Sequence, residues 1–76
     1  MSTYRLDYVR ADLAAGIELV VDSREFSARD DTAAMSEATR LLSAWGKAPA
    51  GERRTGRLRT LADGRNGTFI GNVWQR

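Results

Sequence analysis

Between Asp31 and Trp45 the apolar residues Ala34, Met35, Ala38, Leu41, Leu42 and Trp45 recur at spacings of three and four. That spacing lines one face of an α-helix. Ser36, Glu37, Thr39, Arg40 and Ser43 occupy the rest of the circumference. Asp30 and Asp31 stand where a side-chain oxygen accepts the orphan amide hydrogens of a first turn, and their charge complements the helix dipole. Gly46 follows the last apolar residue and suits the left-handed conformation that ends a helix, while Pro49 blocks a restart. The pattern predicts a helix over 31–45. Ala34 and Ala38 are small enough to let its axis come close to a second layer, with Leu41, Leu42 and Trp45 filling the wider end.

The flanking segments supply that layer. Thr3 to Arg10 alternates, with Tyr4, Leu6 and Tyr8 to one side and Arg5, Asp7 and Val9 to the other, as in a half-buried strand. Both tyrosines are read as core-facing, with their hydroxyls reaching the sheet edge. Ala11 to Gly16 reads as a connection, with Asp12 and Gly16 as turn residues. Residues 12–24 admit two readings. Ile17, Leu19 and Val21 alternate and Phe26 and Ala28 alternate on the opposite parity, which fits a strand with a bulge near Asp22 and Ser23. Leu13, Ile17, Val20, Val21 and Arg24 also fit a helical period. The interior Gly16 and the β-branched run favour the strand.

After the helix, residues 47–56 combine Pro, Gly and adjacent charges without apolar periodicity and read as an exposed loop carrying Arg53 and Arg54. Arg57 to Ala62 alternates again. Residues 63–67 hold the hairpin dipeptides Asp-Gly and Asn-Gly, and Thr68 to Gln75 reads as the returning strand. Phe69 with Val73 and Ile70 with Trp74 lie on opposite faces of it, so the buried face stays open. The expected fold is α+β: one domain over 1–76, order β-β-α-β-β, with the helix packed on a small antiparallel sheet. The far sheet face would be uncovered, exposing Val9, Val20 and one of the two last-strand pairs as a partner or dimer surface.

Composition narrows the chemistry. The 76 residues include neither Cys nor His, which removes disulfides, thiolate zinc sites, the usual nucleophile and the usual general base. Asp7, Glu18, Asp22 and Glu25 are spread along strand positions without the loop that calcium requires. No catalytic residue, metal site or cofactor is expected. The longest apolar run, Leu19 to Val21, cannot span a bilayer, and no charged-then-apolar leader opens the chain, so the expectation is a cytoplasmic protein with no membrane contact.

Charge is uneven. Residues 1–46 carry five Arg against eight acids, −3, and residues 47–76 carry one Lys and six Arg against two acids, +5. Arg53, Arg54, Arg57, Arg59 and Arg65 form the densest cluster. It reads either as a ridge for an acidic protein surface or nucleic-acid phosphates, or as a solvated strand face whose charges guard an edge. Acids of the first half folding over the ridge would neutralise it from within. Trp45 lies on the core stripe, whereas Trp74 is a second candidate for contact.

The Tyr4-Arg5-Leu6 opening strand, the run Phe26-Ser27-Ala28-Arg29-Asp30-Asp31 into a helix with Ala34 and Ala38, and the closing hairpin from Leu58 to Trp74 resemble a diffuse class of very short bacterial and phage proteins. In size and element order the chain is similar to small anti-CRISPR proteins that occupy the crRNA-guided surveillance complex of type I systems. The resemblance implies a non-enzymatic, phage-type inhibitor acting in the host cytoplasm on a nucleic-acid-handling protein complex. The alternatives are a small nucleic-acid-binding protein using the Arg-rich surface, and an enzyme or enzyme subunit, against which the missing His and Cys count most; a homodimer is a further expected association.

Overall fold

The computed structural model describes residues 1–62 and 65–75, with the side chains of 65 and 66 left out. The elements run β1 (Ser2–Asp12), β2 (Ile17–Ala28), α1 (Asp31–Ala44), β3 (Glu52–Ala62) and β4 (Arg65–Trp74). One four-stranded antiparallel sheet has the order β2-β1-β3-β4. The expected order β-β-α-β-β and the α+β class hold, and residues 17–28 are a strand.

The helix forms where its local signals place it. Asp30 adopts an extended backbone, and its Oδ1 accepts from the Ala33 amide at 2.8 Å, a side-chain N-cap. Asp31 has a different partner: its Oδ1 accepts from the Tyr4 hydroxyl at 2.7 Å. The Tyr4 hydroxyl therefore ties strand to helix rather than reaching the sheet edge. At the other end Gly46 takes φ +91°. The late helix carbonyls gain distant donors: Gln75 Nε2 donates to Leu42 O and Gly46 O, and Arg54 Nη1 donates to Trp45 O and Gly46 O.

Ala34, Ala38, Leu41 and Leu42 are buried against Tyr4, Leu6, Ala28, Leu58 and Val73, with Met35, Trp45, Phe26, Tyr8 and Ile70 packed around them. Tyr4 stacks on Phe26, and Tyr8 meets Trp45 edge-on at 5.5 Å between centroids. A glycine completes the fit. A Cβ on Gly56 would lie 2.7 Å from Leu6 Cδ1, so this buried strand position has no room for a side chain.

Two of the three register shifts in the ladders reset which side chains face the helix. In the β1–β2 ladder Tyr8 pairs with Asp22 and Val9 with Val20, leaving Val21 as the extra residue of a bulge. In the β3–β4 ladder Leu58 pairs with Gly71 and Arg59 with Phe69, leaving Ile70 extra. Ile70 and Val73 consequently both join the core side, while Phe69 and Trp74 are both exposed. Neither of the two expected pairs stays together. β4 begins at Arg65, so Asn66 and Gly67 belong to the strand rather than the turn. Asp63 and Gly64, expected as a turn, lie outside the described residues.

Tyr4 links packing to pH. Its hydrogen bond to Asp31, then burial, then the nearby charges of Asp31 and Asp30 push the phenol from 10.0 up to about 12. The bond is intact while the phenol is protonated, so its contribution is fully present below pH 10. Between pH 10 and 12 the unfolded chain releases a proton that the folded chain retains, and stability falls as pH rises. Thermal melts across this range should show that decline, and Tyr4→Phe should remove it while lowering the melting temperature at neutral pH. Leu42→Ala, a truncation at a fully buried site, should cost about 2–5 kcal/mol by chemical denaturation.

Candidate interaction surface

The helix ends over Tyr8 and Arg54, but the sheet continues to Asp12, Ile17 and Glu52. That projecting end is closed by the turn after β1. Asp12 Oδ1 accepts from the amides of Ala14 and Ala15, Gly16 takes φ +68°, and the Leu13 amide donates to Gly51 O at 2.9 Å. The arm is thus hydrogen-bonded along β1 and anchored at its tip to the α1–β3 connection.

Its apolar residues have little cover. Leu13, Ile17, Leu19, Val20 and Val21 are each 46–56% exposed, and they lie within nine consecutive positions. Ile17, Leu19 and Val21 follow the helix-side edge of β2, linking two shallow grooves. One, of ≈ 440 Å³, lies between Ile17, Leu19, Ala11 and the Pro49–Gly51 segment. The other, of ≈ 320 Å³, lies between Val21 and the helix residues Leu41, Ala44 and Trp45. A run of large apolar side chains beside two grooves is what a protein contact uses, whereas single exposed apolar residues need no explanation.

The arginine cluster is divided between the two sheet faces. Arg53 and Arg54 are in β3, not in a loop, and successive strand residues point to opposite sides. Arg54 is on the helix side: it caps helix carbonyls, pairs with Glu52 at 2.8 Å and lies 4.9 Å from the Trp45 ring centroid. Its work is structural. Arg57 and Arg59 are on the far side, where acids of the first two strands meet them: Arg57 lies 3.4 Å from Glu18 and Arg59 lies 3.8 Å from Asp7. Arg53 retains the exposed Trp74 ring, 6.0 Å from its guanidinium, as its neighbour. The side chain of Arg65 lies outside the described residues.

Asp7 organises this face. Its Oδ1 accepts from Arg5 Nε and from Ser23 Oγ, each at 2.9 Å, and its Oδ2 faces Arg59. Arg5 and Arg59 are direct cross-strand partners, a like-charge pair that is unfavourable without a counter-ion. The expected far face is apolar only in part: Val20, Phe69 and Trp74 are exposed on it, but an ion-pair network holds its centre, and Val9, expected to be exposed there, is fully buried. Among the described residues no three His, Cys, Asp or Glu group as a metal site would need, and no helix is long and apolar enough to cross a membrane. No family model, curated protein or solved structure matches the chain.

Sequence reasoning missed the apolar arm as a surface because Ile17, Leu19 and Val21 have the alternation of a half-buried strand. Only the helix length shows that nothing covers them. For the far face, Asp7→Asn should lower unfolding free energy by about 1–3 kcal/mol, since two opposed guanidinium groups lose their shared carboxylate. Arg57→Ser, at an exposed pair, should change it by less than about 1 kcal/mol. Urea titration of the two variants checks the contrast.

Proposed function

We propose that the chain is a non-enzymatic interaction module that binds a protein partner through the apolar β1–β2 arm. The observation that carries this reading is the concentration of half-exposed Leu13, Ile17, Leu19, Val20 and Val21 on one anchored projection. Such side chains contribute little to the folded monomer where they stand, yet each would bury apolar area at about 25 cal/mol per Å² in a complex. The resemblance in size and element order to small anti-CRISPR proteins makes a type I CRISPR surveillance complex the first partner to assay, with the chain acting as a stoichiometric inhibitor.

Nucleic-acid binding by the arginine cluster is the second reading, favoured by the exposed Arg53–Trp74 pair with Phe69 on the same strand. Against it, Arg54, Arg57 and Arg59 already have internal partners. The two readings differ in salt response, because phosphate binding weakens steeply with ionic strength and an apolar contact does not.

The test is inhibition of target-DNA binding by a purified type I surveillance complex, together with affinity capture from bacterial lysate. Ile17→Ser with Leu19→Ser should leave folding nearly unchanged, about 0.5 kcal/mol per site, and should weaken binding at least about tenfold in either format. Arg57→Ser with Arg59→Ser should leave binding within about threefold. The reverse pattern would move the site to the arginine face.

A further inference from the structure

The largest set of backbone groups without a sheet partner among the described residues lies on the outer edge of β2. This strand is first in the sheet order, so one edge pairs with β1 and the other faces outward over twelve residues. Groups along such an edge form a template for a further strand. Neither Pro nor Lys, two common guards of an edge, occurs between Ile17 and Ala28.

We propose that this edge takes up an extended segment of a partner protein as a fifth strand, with a large apolar side chain of that segment seated in the groove between β2 and α1. The inference rests on reading the arm as a protein-binding surface and specifies how it binds. Its first support is geometric: the ≈ 320 Å³ groove runs beside the edge, with Val21 on the strand and Leu41, Ala44 and Trp45 on the helix. A strand hydrogen-bonded to β2 directs alternate side chains into it. Its second support is electrostatic. Arg24 lines this groove and is exposed, and its guanidinium has no hydrogen bond or ion pair to any described residue. An acidic residue beside the apolar anchor complements it.

A second copy of the chain fits this edge poorly. Opposed residues in a ladder must share a face, and the bulge at Val21 changes the parity of β2 midway. Antiparallel self-pairing then keeps every opposed pair on a common face in one full-length register: Ile17 against Phe26, Glu18 against Glu25, Leu19 against Arg24, Val20 against Ser23 and Val21 against Asp22. That register sets Glu18 against Glu25 twice, a like-charge contact that disfavours the dimer.

The probe is a displayed library of random dodecapeptides selected against the whole protein, with the enriched peptides synthesised and measured by calorimetry. Enriched peptides should carry a large apolar residue next to Asp or Glu. N-methylation along the peptide should alternate in effect, weakening binding at least about tenfold at one parity and less than about threefold at the other, because alternate amides of an added strand face the template. Val21→Ser should weaken the same peptides at least about tenfold, and the N-methyl series tests the mode without any variant of the protein. Peptides that bind without this alternation overturn strand addition and leave the arm as a binding surface. An Ile17, Leu19 double variant with undiminished partner binding overturns the arm itself. A library that yields no binder, or sedimentation showing a dimer closed by β2, also overturns the proposal.

Discussion

The helix is shorter than the sheet it covers, and the exposed surface follows from that mismatch. Fourteen helical residues span about 21 Å at 1.5 Å per residue, whereas the eleven residues of β1 span about 36 Å at 3.3 Å per residue. The molecule measures 39 × 22 × 16 Å, so its long dimension is close to that of a strand. Gly46 at φ +91° stops the helix, and Arg54 and Gln75 hold its final carbonyls in place. The core is complete at that point, with Leu42, Leu58 and Val73 fully or almost fully buried. Beyond it the β1–β2 arm has a sheet but no second layer.

The opposite face faces a related problem and meets it with charge. A two-layer fold leaves one side of its sheet to solvent. Here that side has Asp7 at its centre, with Arg5 and Arg59 on the flanking positions and Ser23 completing the carboxylate's hydrogen bonds. Val9 is fully buried although no helix lies over it. Its cross-strand neighbours on that face are Val20 and Thr55, and Trp74 follows Thr55 in the next strand. Arginines that resemble a binding ridge in sequence are thus partly tied up in ion pairs of this face, Arg57 with Glu18 and Arg59 with Asp7.

What was legible in the sequence follows the range of the interactions involved. The helix limits are set within a few residues by Asp30, Gly46 and the apolar stripe, and the observed span of Asp31–Ala44 agrees with 31–45. The β2 bulge was legible because parity changes inside a single strand. Residues 52–56 were misread as loop because their strand character depends on distant groups: Gly56 makes room for Leu6, and Arg54 reaches the helix terminus. Alternation does not decide the last strand, since the extra residue Ile70 breaks the period of two. The Arg59–Asp7 pairing requires the β1–β3 register, which nothing local encodes.

The arm joins these points. Its inner edge is paired with β1 along its length, and its tip is bonded to Gly51, so the apolar stripe is held in an extended form before any partner arrives. A preordered strand loses less conformational freedom on association than a flexible segment would. An exposed apolar edge of that kind also invites unwanted pairing. Glu18 and Glu25 oppose it, because the in-phase register of two copies sets them against each other. The same charges therefore discourage self-association while leaving the edge open to a strand whose charges complement them, which is how specificity arises from a repulsive element as well as an attractive one.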